Sequence, residues 1–179
     1  MSIVKKKTTE KDVSVEINLE KLLGGQAKNR DIREAFFQVA YDKWLENLDN
    51  GIGADGKRLA KYSKSYKDSL AFLAFGKDNT VNMQLTGGMV ASVEIQKQSD
   101  KSIKVGFVGD EENAKAYAHM TGFQGHPTLE GKVPIRNFFG WSDDDLLKIA
   151  KEFKPNNKSE PNVKDEKILN LIDRLINNG

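Results

Sequence analysis

The chain has 179 residues, of which 38% are hydrophobic and 30% charged; this is typical of one soluble domain with extensions and excludes a disordered or fibrous protein. Its 28 basic residues nearly balance its 26 acidic residues, so any nucleic-acid-binding surface must be local. The absence of cysteine excludes disulfides, thiolate metal sites and cysteine nucleophiles, and because no apolar run suits a signal peptide or a membrane span, we expect a cytoplasmic product.

Residues 1–28 are predicted to form an N-terminal arm with one strand. Apolar and polar residues alternate from Val13 to Ile17, which is the period of a half-buried strand. Over residues 29–48, apolar side chains recur every three or four positions, as they do along a long amphipathic helix. Three glycines with an asparagine and an aspartate then predict a loop over residues 50–56, where the helix ends.

The segment 57–77 combines a predicted helix with a local excess of positive charge. The spacing of its apolar residues predicts a helix over 63–75, whose apolar side carries Tyr62, Tyr66, Leu70 and Leu73. The segment contains six basic residues and one acidic residue, and such charge attracts phosphates whatever the base sequence. One interpretation is a surface that lines a path for DNA; the other is an ordinary solvated helix face. We call this surface the basic face, and its residues are Lys57, Arg58, Lys61, Lys64 and Lys67.

The second half of the domain begins with a predicted β-hairpin. Apolar residues alternate with polar ones on both sides of a polar connection at 98–101. A short helix is predicted over 111–120, and the proline-containing run 133–140 indicates an extended segment at a sheet edge or strand start. Ser142, followed by three aspartates, is typical of a helix N-terminus, because serine caps the backbone and acidic residues favour the positive end of the helix dipole.

These elements predict one α+β domain at 29–153, a small antiparallel sheet packed with one long and several shorter helices. Residues 154–163, with two prolines and three asparagines, predict a linker. Residues 164–179 then have the spacing of an amphipathic helix, a C-terminal helical arm that packs on its own domain or, as we favour, docks on another subunit. The side chains expected at that interface are Ile168, Leu171, Ile172 and Leu175.

The sequence offers few residues for catalysis. His119 and His126 are the only histidines, and no carboxylate cluster lies beside them at a metal-ligand spacing. The three aspartates at 143–145 are consecutive, so on a helix they point about 100° apart and cannot converge on one cation. We therefore predict no catalytic, cofactor-binding or metal-binding residue and no enzymatic activity; a hydrolase that uses a histidine is the lesser alternative.

Four short segments follow one another in a characteristic order between Gly53 and Phe153. Their sequences are Gly-Lys-Arg-Leu at 56–59 with Tyr-Ser-Lys-Ser-Tyr-Lys at 62–67, Leu-Thr-Gly-Gly-Met-Val-Ala-Ser-Val at 85–93, Val-Gly-Phe at 105–107 with Ala-Tyr-Ala-His-Met-Thr-Gly at 116–122, and Val-Pro-Ile-Arg-Asn-Phe-Phe-Gly-Trp-Ser at 133–142. This order resembles the virion-morphogenesis family of Mu-like tailed phages, which comprises tail-completion and neck proteins. The resemblance covers neither the strand near Val13 nor the residues after Lys154.

The resemblance implies a structural virion protein of the head-to-tail neck, without enzymatic residues or cofactors. Its partners would be further copies of itself in a hexameric ring, other phage neck, connector and tail proteins, and genomic DNA in the channel, with no membrane involved. The protein would be made in the host bacterial cytoplasm and located at the neck or tail end of the virion. Pro134, Arg136 and Phe139 would be interface or structural residues. The roles of tail terminator, stopper and tail-completion factor stay open, and the alternative function is a small non-specific DNA-binding module outside the virion.

Overall fold

The computed structural model describes residues 2–76, 79–83, 87–122 and 134–154. Within these residues, one antiparallel sheet and seven α-helices confirm the predicted α+β class. The strands are β1 (Val4–Thr9), β2 (Asp12–Asn18), β3 (Val93–Gln98) and β4 (Ser102–Phe107), and the helices are α1 (Leu19–Leu23), α2 (Arg30–Asp49), α3 (Lys64–Lys67), α4 (Leu70–Ala74), α5 (Gly88–Ala91), α6 (Asp110–Thr121) and α7 (Asp143–Glu152). The predicted linker from Pro155 onward and the predicted terminal helix lie outside the described residues.

The sheet begins at the N-terminal end of the chain and has the order β1-β2-β4-β3, with every neighbouring pair antiparallel. Residues 1–28 therefore contribute two strands, and the prediction of an arm with one strand is wrong. The alternation of apolar and polar residues that predicted β2 is missing from β1, because three of its six residues are lysines. Lysines are common on edge strands, where they oppose pairing with other chains.

The two central strands supply the core of the sheet. In the register of β2 and β4, Val15 lies opposite Val105 and Ile17 lies opposite Ile103. All four side chains are at most 1% exposed. Such apolar pairs across neighbouring strands stabilise a sheet through side-chain packing. The strand predicted around Val13 and the hairpin predicted around 98–101 are both confirmed.

The long helix α2 presents residues four positions apart to the core, as the sequence pattern predicted. Phe36, Ala40, Trp44 and Leu48 are at most 1% exposed, because residues at this spacing lie on one side of a helix. Asn29 caps the start of the helix, because its side-chain oxygen accepts hydrogen bonds from the N–H groups of Asp31 and Ile32. The predicted helix is confirmed, and two of these four buried side chains are aromatic.

An extended segment, residues 134–140, crosses the edge of this core without forming a strand. Phe138 and Phe139 are fully buried, and the backbone of the segment is held by side chains. Trp44 Nε1 donates a hydrogen bond to the Phe138 carbonyl at 2.8 Å, and Lys6 Nζ donates to the Phe139 carbonyl at 3.2 Å and to Asn137 Oδ1 at 2.9 Å. The sequence predicted an extended segment at a sheet edge or strand start, and in the structure residues 134–140 belong to no strand.

Two polar side chains position helices α6 and α7. Asn113, in α6, accepts a hydrogen bond from the Val13 N–H at 2.8 Å and donates to the Phe107 carbonyl at 2.9 Å, which ties the helix to both central strands. Ser142 caps α7, because its hydroxyl oxygen accepts from the Asp145 N–H at 3.1 Å. Both helices were predicted, and the cap at Ser142 is confirmed.

The single helix predicted over 63–75 is instead two short helices, α3 and α4. Ser69 separates them: its hydroxyl donates to the Tyr66 carbonyl at 2.7 Å and accepts from the Phe72 N–H at 3.2 Å. Serine competes in this way with the helical backbone pattern and favours helix ends. The predicted apolar side is also wrong in its second half, because Leu70 and Leu73 are exposed whereas Phe72 is buried.

Candidate nucleic-acid interface

The basic face begins on a tight turn that docks against the segment 134–140. Within the turn, the Gly53 N–H donates to the Lys57 carbonyl at 2.8 Å, and the Ala54 N–H donates across to the Asn137 carbonyl at 2.7 Å. A Cβ atom at position 53 would lie 2.6 Å from that carbonyl oxygen and 3.0 Å from a methyl group of Leu59. The close approach therefore requires glycine, and it fixes the start of the basic face against the body of the protein.

Arg136 forms hydrogen bonds to the backbone of the next part of the basic face. Its side chain is buried, with Nε donating to the Ala60 carbonyl at 2.9 Å and Nη2 donating to the Lys61 carbonyl at 3.2 Å. Its own backbone N–H donates to the His119 carbonyl at 2.8 Å. A planar guanidinium suits this task because it presents several donors in a fixed geometry. Arg136 thus links α6 to the backbone that carries the basic face.

Arg136 forms no ion pair within the described residues, so aromatic rings and carbonyl dipoles surround its charge. Its guanidinium carbon lies 5.6 Å from the centre of the Tyr62 ring, within the range of a cation–π contact. Burial lowers the pKa of Arg136, and the electrostatic effects of Tyr62 and Tyr66 act in the opposite direction. Because the guanidinium of arginine is not deprotonated in proteins, the side chain stays charged at neutral pH.

Three aromatic rings connect α3, which carries Lys64 and Lys67, to the neighbouring helix α4. The ring centres of Tyr62 and Tyr66 lie 5.1 Å apart, and Phe72 meets each tyrosine edge-on at 5.5 Å. Edge-to-face pairs at this distance are favourable because the positive edge of one ring meets the negative face of the other. Tyr62 and Tyr66 were predicted to share an apolar side, whereas Phe72 was missed.

The cations of the basic face remain available to a ligand. Lys57, Arg58, Lys61 and Lys64 are exposed, and Lys67 is partly buried. None of the five forms an ion pair with another described residue. Lys64 and Lys67 are three positions apart in α3 and so lie on neighbouring parts of its surface. The basic face therefore presents positive charges without ion-pair partners among the described residues, and the buried Arg136 side chain holds part of its backbone in place.

Of the two histidines, only His119 lies in the described part of the chain. His119 is partly buried, its ring meets Phe138 edge-on at 6.4 Å, and its Nδ1 atom has no hydrogen-bond partner there. Burial, and then the nearby charge of Arg136, lower the pKa of His119 to about 4, so it is neutral at pH 7. His126 lies outside the described residues. Among those described, no group of three or more His, Cys, Asp or Glu side chains is arranged to hold a metal ion.

The residues predicted as interface residues have different surroundings. Arg136 is 5% exposed and Phe139 is fully buried, so both pack at the edge of the core. Pro134 is partly buried. Ile135, between them, is 65% exposed and was not singled out from the sequence, although alternation along the extended segment would have placed it on the outer side. The other four predicted interface residues, in the predicted terminal helix, lie outside the described residues.

The chain matches no protein-family model, no curated protein and no solved structure. In the described ranges, no helix has both the length and the apolar character needed to cross a membrane.

Proposed function

We propose that this chain is a structural component of a tailed-phage neck or tail end, of the tail-completion type, that assembles as a ring around DNA. Its proposed partners are copies of itself, other neck, connector and tail proteins, and the genomic DNA. The observation that carries the proposal is the basic face, whose five cations have no ion-pair partner among the described residues. Such a surface attracts phosphates without reading base sequence, as a protein around passing DNA must do.

The packing of the segments that resemble the phage family also supports the proposal. Arg136, in the fourth segment, donates to the carbonyls of Ala60 and Lys61, which connect the two parts of the first segment, and to the His119 carbonyl of the third. The second segment joins the third, because Val93 lies opposite Phe107 in the sheet. Segments that are far apart in the chain therefore form one connected body. This is expected if they are the common structural unit of a family rather than isolated chance matches.

Assembly determines how strongly such a surface holds DNA. One subunit presents the five cations of the basic face and therefore engages only a few phosphates. Several subunits in a ring present these cations together, and linked binding sites raise the effective concentration of each one. We therefore expect an isolated subunit to bind duplex DNA weakly and the assembled form to bind it strongly.

A small non-specific DNA-binding module outside the virion is the second candidate, because it would use the same uncompensated cations. It differs from the first in one measurable respect. A module of this kind binds duplex DNA as a monomer, with an affinity that falls steeply as salt is raised. The neck protein needs self-assembly to bind strongly.

Matched charge variants test the role of the basic face. One variant carries glutamine at Lys57, Arg58, Lys61 and Lys64; the control carries glutamine at four other exposed lysines, Lys97, Lys101, Lys148 and Lys151. Both variants have four fewer positive charges than the original chain. We expect the first variant, and not the control, to bind a duplex of random sequence more weakly. The slope of the logarithm of its binding constant against the logarithm of salt concentration should also become shallower, by about 0.9 for each phosphate that the variant no longer neutralises.

Native mass measurement of the same samples distinguishes the two functions. The proposal is supported if DNA binding by the unmodified chain appears together with an oligomer, and if the first variant still assembles. Equal reductions of affinity in the two variants would contradict a specific role of the basic face. Strong duplex binding by a monomer would favour the DNA-binding module.

A further inference from the structure

The outer side of α4 is an apolar surface that no other described residue covers. Leu70 is 85% exposed and Leu73 is 66% exposed, and Phe75, just after the helix, is 55% exposed. Leu70 and Leu73 are three positions apart and lie side by side on the helix. Phe72 points the opposite way and packs between Tyr62 and Tyr66. We call Leu70, Leu73 and Phe75 the α4 face.

The α4 face differs from an ordinary solvated helix surface. The sequence of α4 is Leu-Ala-Phe-Leu-Ala, without a single polar residue. A surface helix normally has polar side chains on the side away from the core, and a helix that is apolar all round is normally buried. Leu147, by contrast, is a single exposed leucine with Lys148 next to it, and isolated apolar residues on a surface are common. We therefore expect an apolar partner to cover the α4 face.

The same chain contains a segment that needs such a surface. Residues 164–179 include six apolar side chains at helical spacing, and an isolated helix of this length is marginal in water without an apolar partner. Ile168, the first of the six, lies fourteen positions after Lys154, the last described residue. An extended chain of that length spans up to roughly 46 Å, so the segment can dock at a distance from α7.

We propose that residues 164–179 dock on the α4 face. The apolar stripe of the segment, Ile168, Leu171, Ile172 and Leu175, would cover Leu70, Leu73 and Phe75. This inference does not depend on the phage role, because it rests on the exposed side chains of α4 and on the pattern of the segment. Docking on a neighbouring copy would in addition join the subunits of a ring.

Engineered disulfides test the contact directly, since the chain contains no cysteine that could interfere. Leu73→Cys is combined in turn with Leu171→Cys, Ile172→Cys, Asp173→Cys and Leu175→Cys in the full chain. We expect oxidation to cross-link the apolar positions more than position 173, because only one side of a helix faces its partner. A cross-link within one chain or between two chains supports the docking, and a non-reducing gel separates these two cases.

A control pair excludes chance collision. Leu147→Cys lies nearer to the terminal segment along the chain than Leu73→Cys and is also exposed. We expect it to cross-link poorly with every position of the segment. Equal yields at positions 73 and 147, or equal yields at all four segment positions, would overturn the proposal.

Thiol reactivity gives an independent measurement that needs no disulfide geometry. In the full chain, we expect Leu73→Cys to react with an alkylating reagent about tenfold more slowly when the segment is intact than when it carries Leu171→Asp and Leu175→Asp, which corresponds to a segment docked about nine-tenths of the time. Leu147→Cys should react at the same rate in both backgrounds. If Leu73→Cys reacts equally fast with the intact and the altered segment, the segment does not cover the α4 face.

Discussion

Replacing Arg136 with methionine should destabilise the protein and loosen the basic face without removing an exposed charge. Methionine has a similar length but no donor, so the carbonyls of Ala60 and Lys61 no longer receive hydrogen bonds from Nε and Nη2. A hydrogen bond to a charged group contributes about 1.5–3 kcal/mol, and the interaction with the Tyr62 ring adds about 1 kcal/mol. Burying the cation opposes these terms, because removing a charge from water costs free energy.

We therefore expect the free energy of unfolding to fall by about 2–3 kcal/mol, a value below the sum of the hydrogen-bond and cation–π terms. For a chain of this size, the melting temperature should fall by about 4–12 °C. Urea unfolding measures the first quantity and calorimetry the second. Hydrogen exchange should also become faster at the backbone of residues 60–67, since Arg136 ties this part of the chain to α6.

Arg58→Met is the matched control for this prediction. Arg58 is exposed and forms no ion pair within the described residues, so its replacement should change the free energy of unfolding by less than about 0.5 kcal/mol. Refutation would come from an Arg136→Met protein that unfolds within about 0.5 kcal/mol of the original, with unchanged hydrogen exchange at 60–67. The buried guanidinium would then not be what holds the basic face.

Three further substitutions test the fold. Unfolded His119 binds a proton below about pH 6.5, whereas folded His119 binds one only below about pH 4, so the free energy of unfolding should fall as the pH drops between these values. Urea unfolding at pH 7 and pH 4.5 measures this loss. We expect His119→Leu to remove up to about 3 kcal/mol of it. Gly53→Ala places a methyl group against the Asn137 carbonyl and should cost about 1–3 kcal/mol in urea unfolding, whereas Gly25→Ala, which meets nothing within 4 Å, should cost little. Ser142→Ala removes the cap of α7 and should cost about 1 kcal/mol, seen as a lower urea midpoint at unchanged slope.

Elements with a clear local signal could be predicted from the sequence. The apolar alternation at Val13, the four-residue spacing from Phe36 to Leu48 and the serine at 142 each correspond to an observed strand, helix or cap. Strand β1 has no such signal, because three of its residues are lysines. Lysines suit an edge strand, where they oppose pairing with other chains, but they do not pack in a core. Segment β1 becomes a strand by pairing with β2, and such pairing depends on the neighbouring segment rather than on its own composition.

The site shows the same division between local and distant causes. Local charge identifies Lys57 to Lys67 as a basic segment in the sequence, and its role in DNA binding stays a prediction. The role of Arg136 was not predictable, since the carbonyls it bonds lie 76 and 75 positions away in the chain. The orientation of α4 was also missed, because Ser69 interrupts the helix and turns Phe72 inward in place of Leu70. A single continuous helical period could not reveal that break.

The most direct test of the central claim is the mass and symmetry of the purified full chain, measured by native mass spectrometry and particle imaging. The chain is measured by itself and again after connector or tail proteins are added. The proposal predicts a closed ring with a central passage, and it predicts that glutamine at Lys57, Arg58, Lys61 and Lys64 weakens duplex DNA binding but not ring formation. A protein that stays monomeric in the presence of such partners would contradict it.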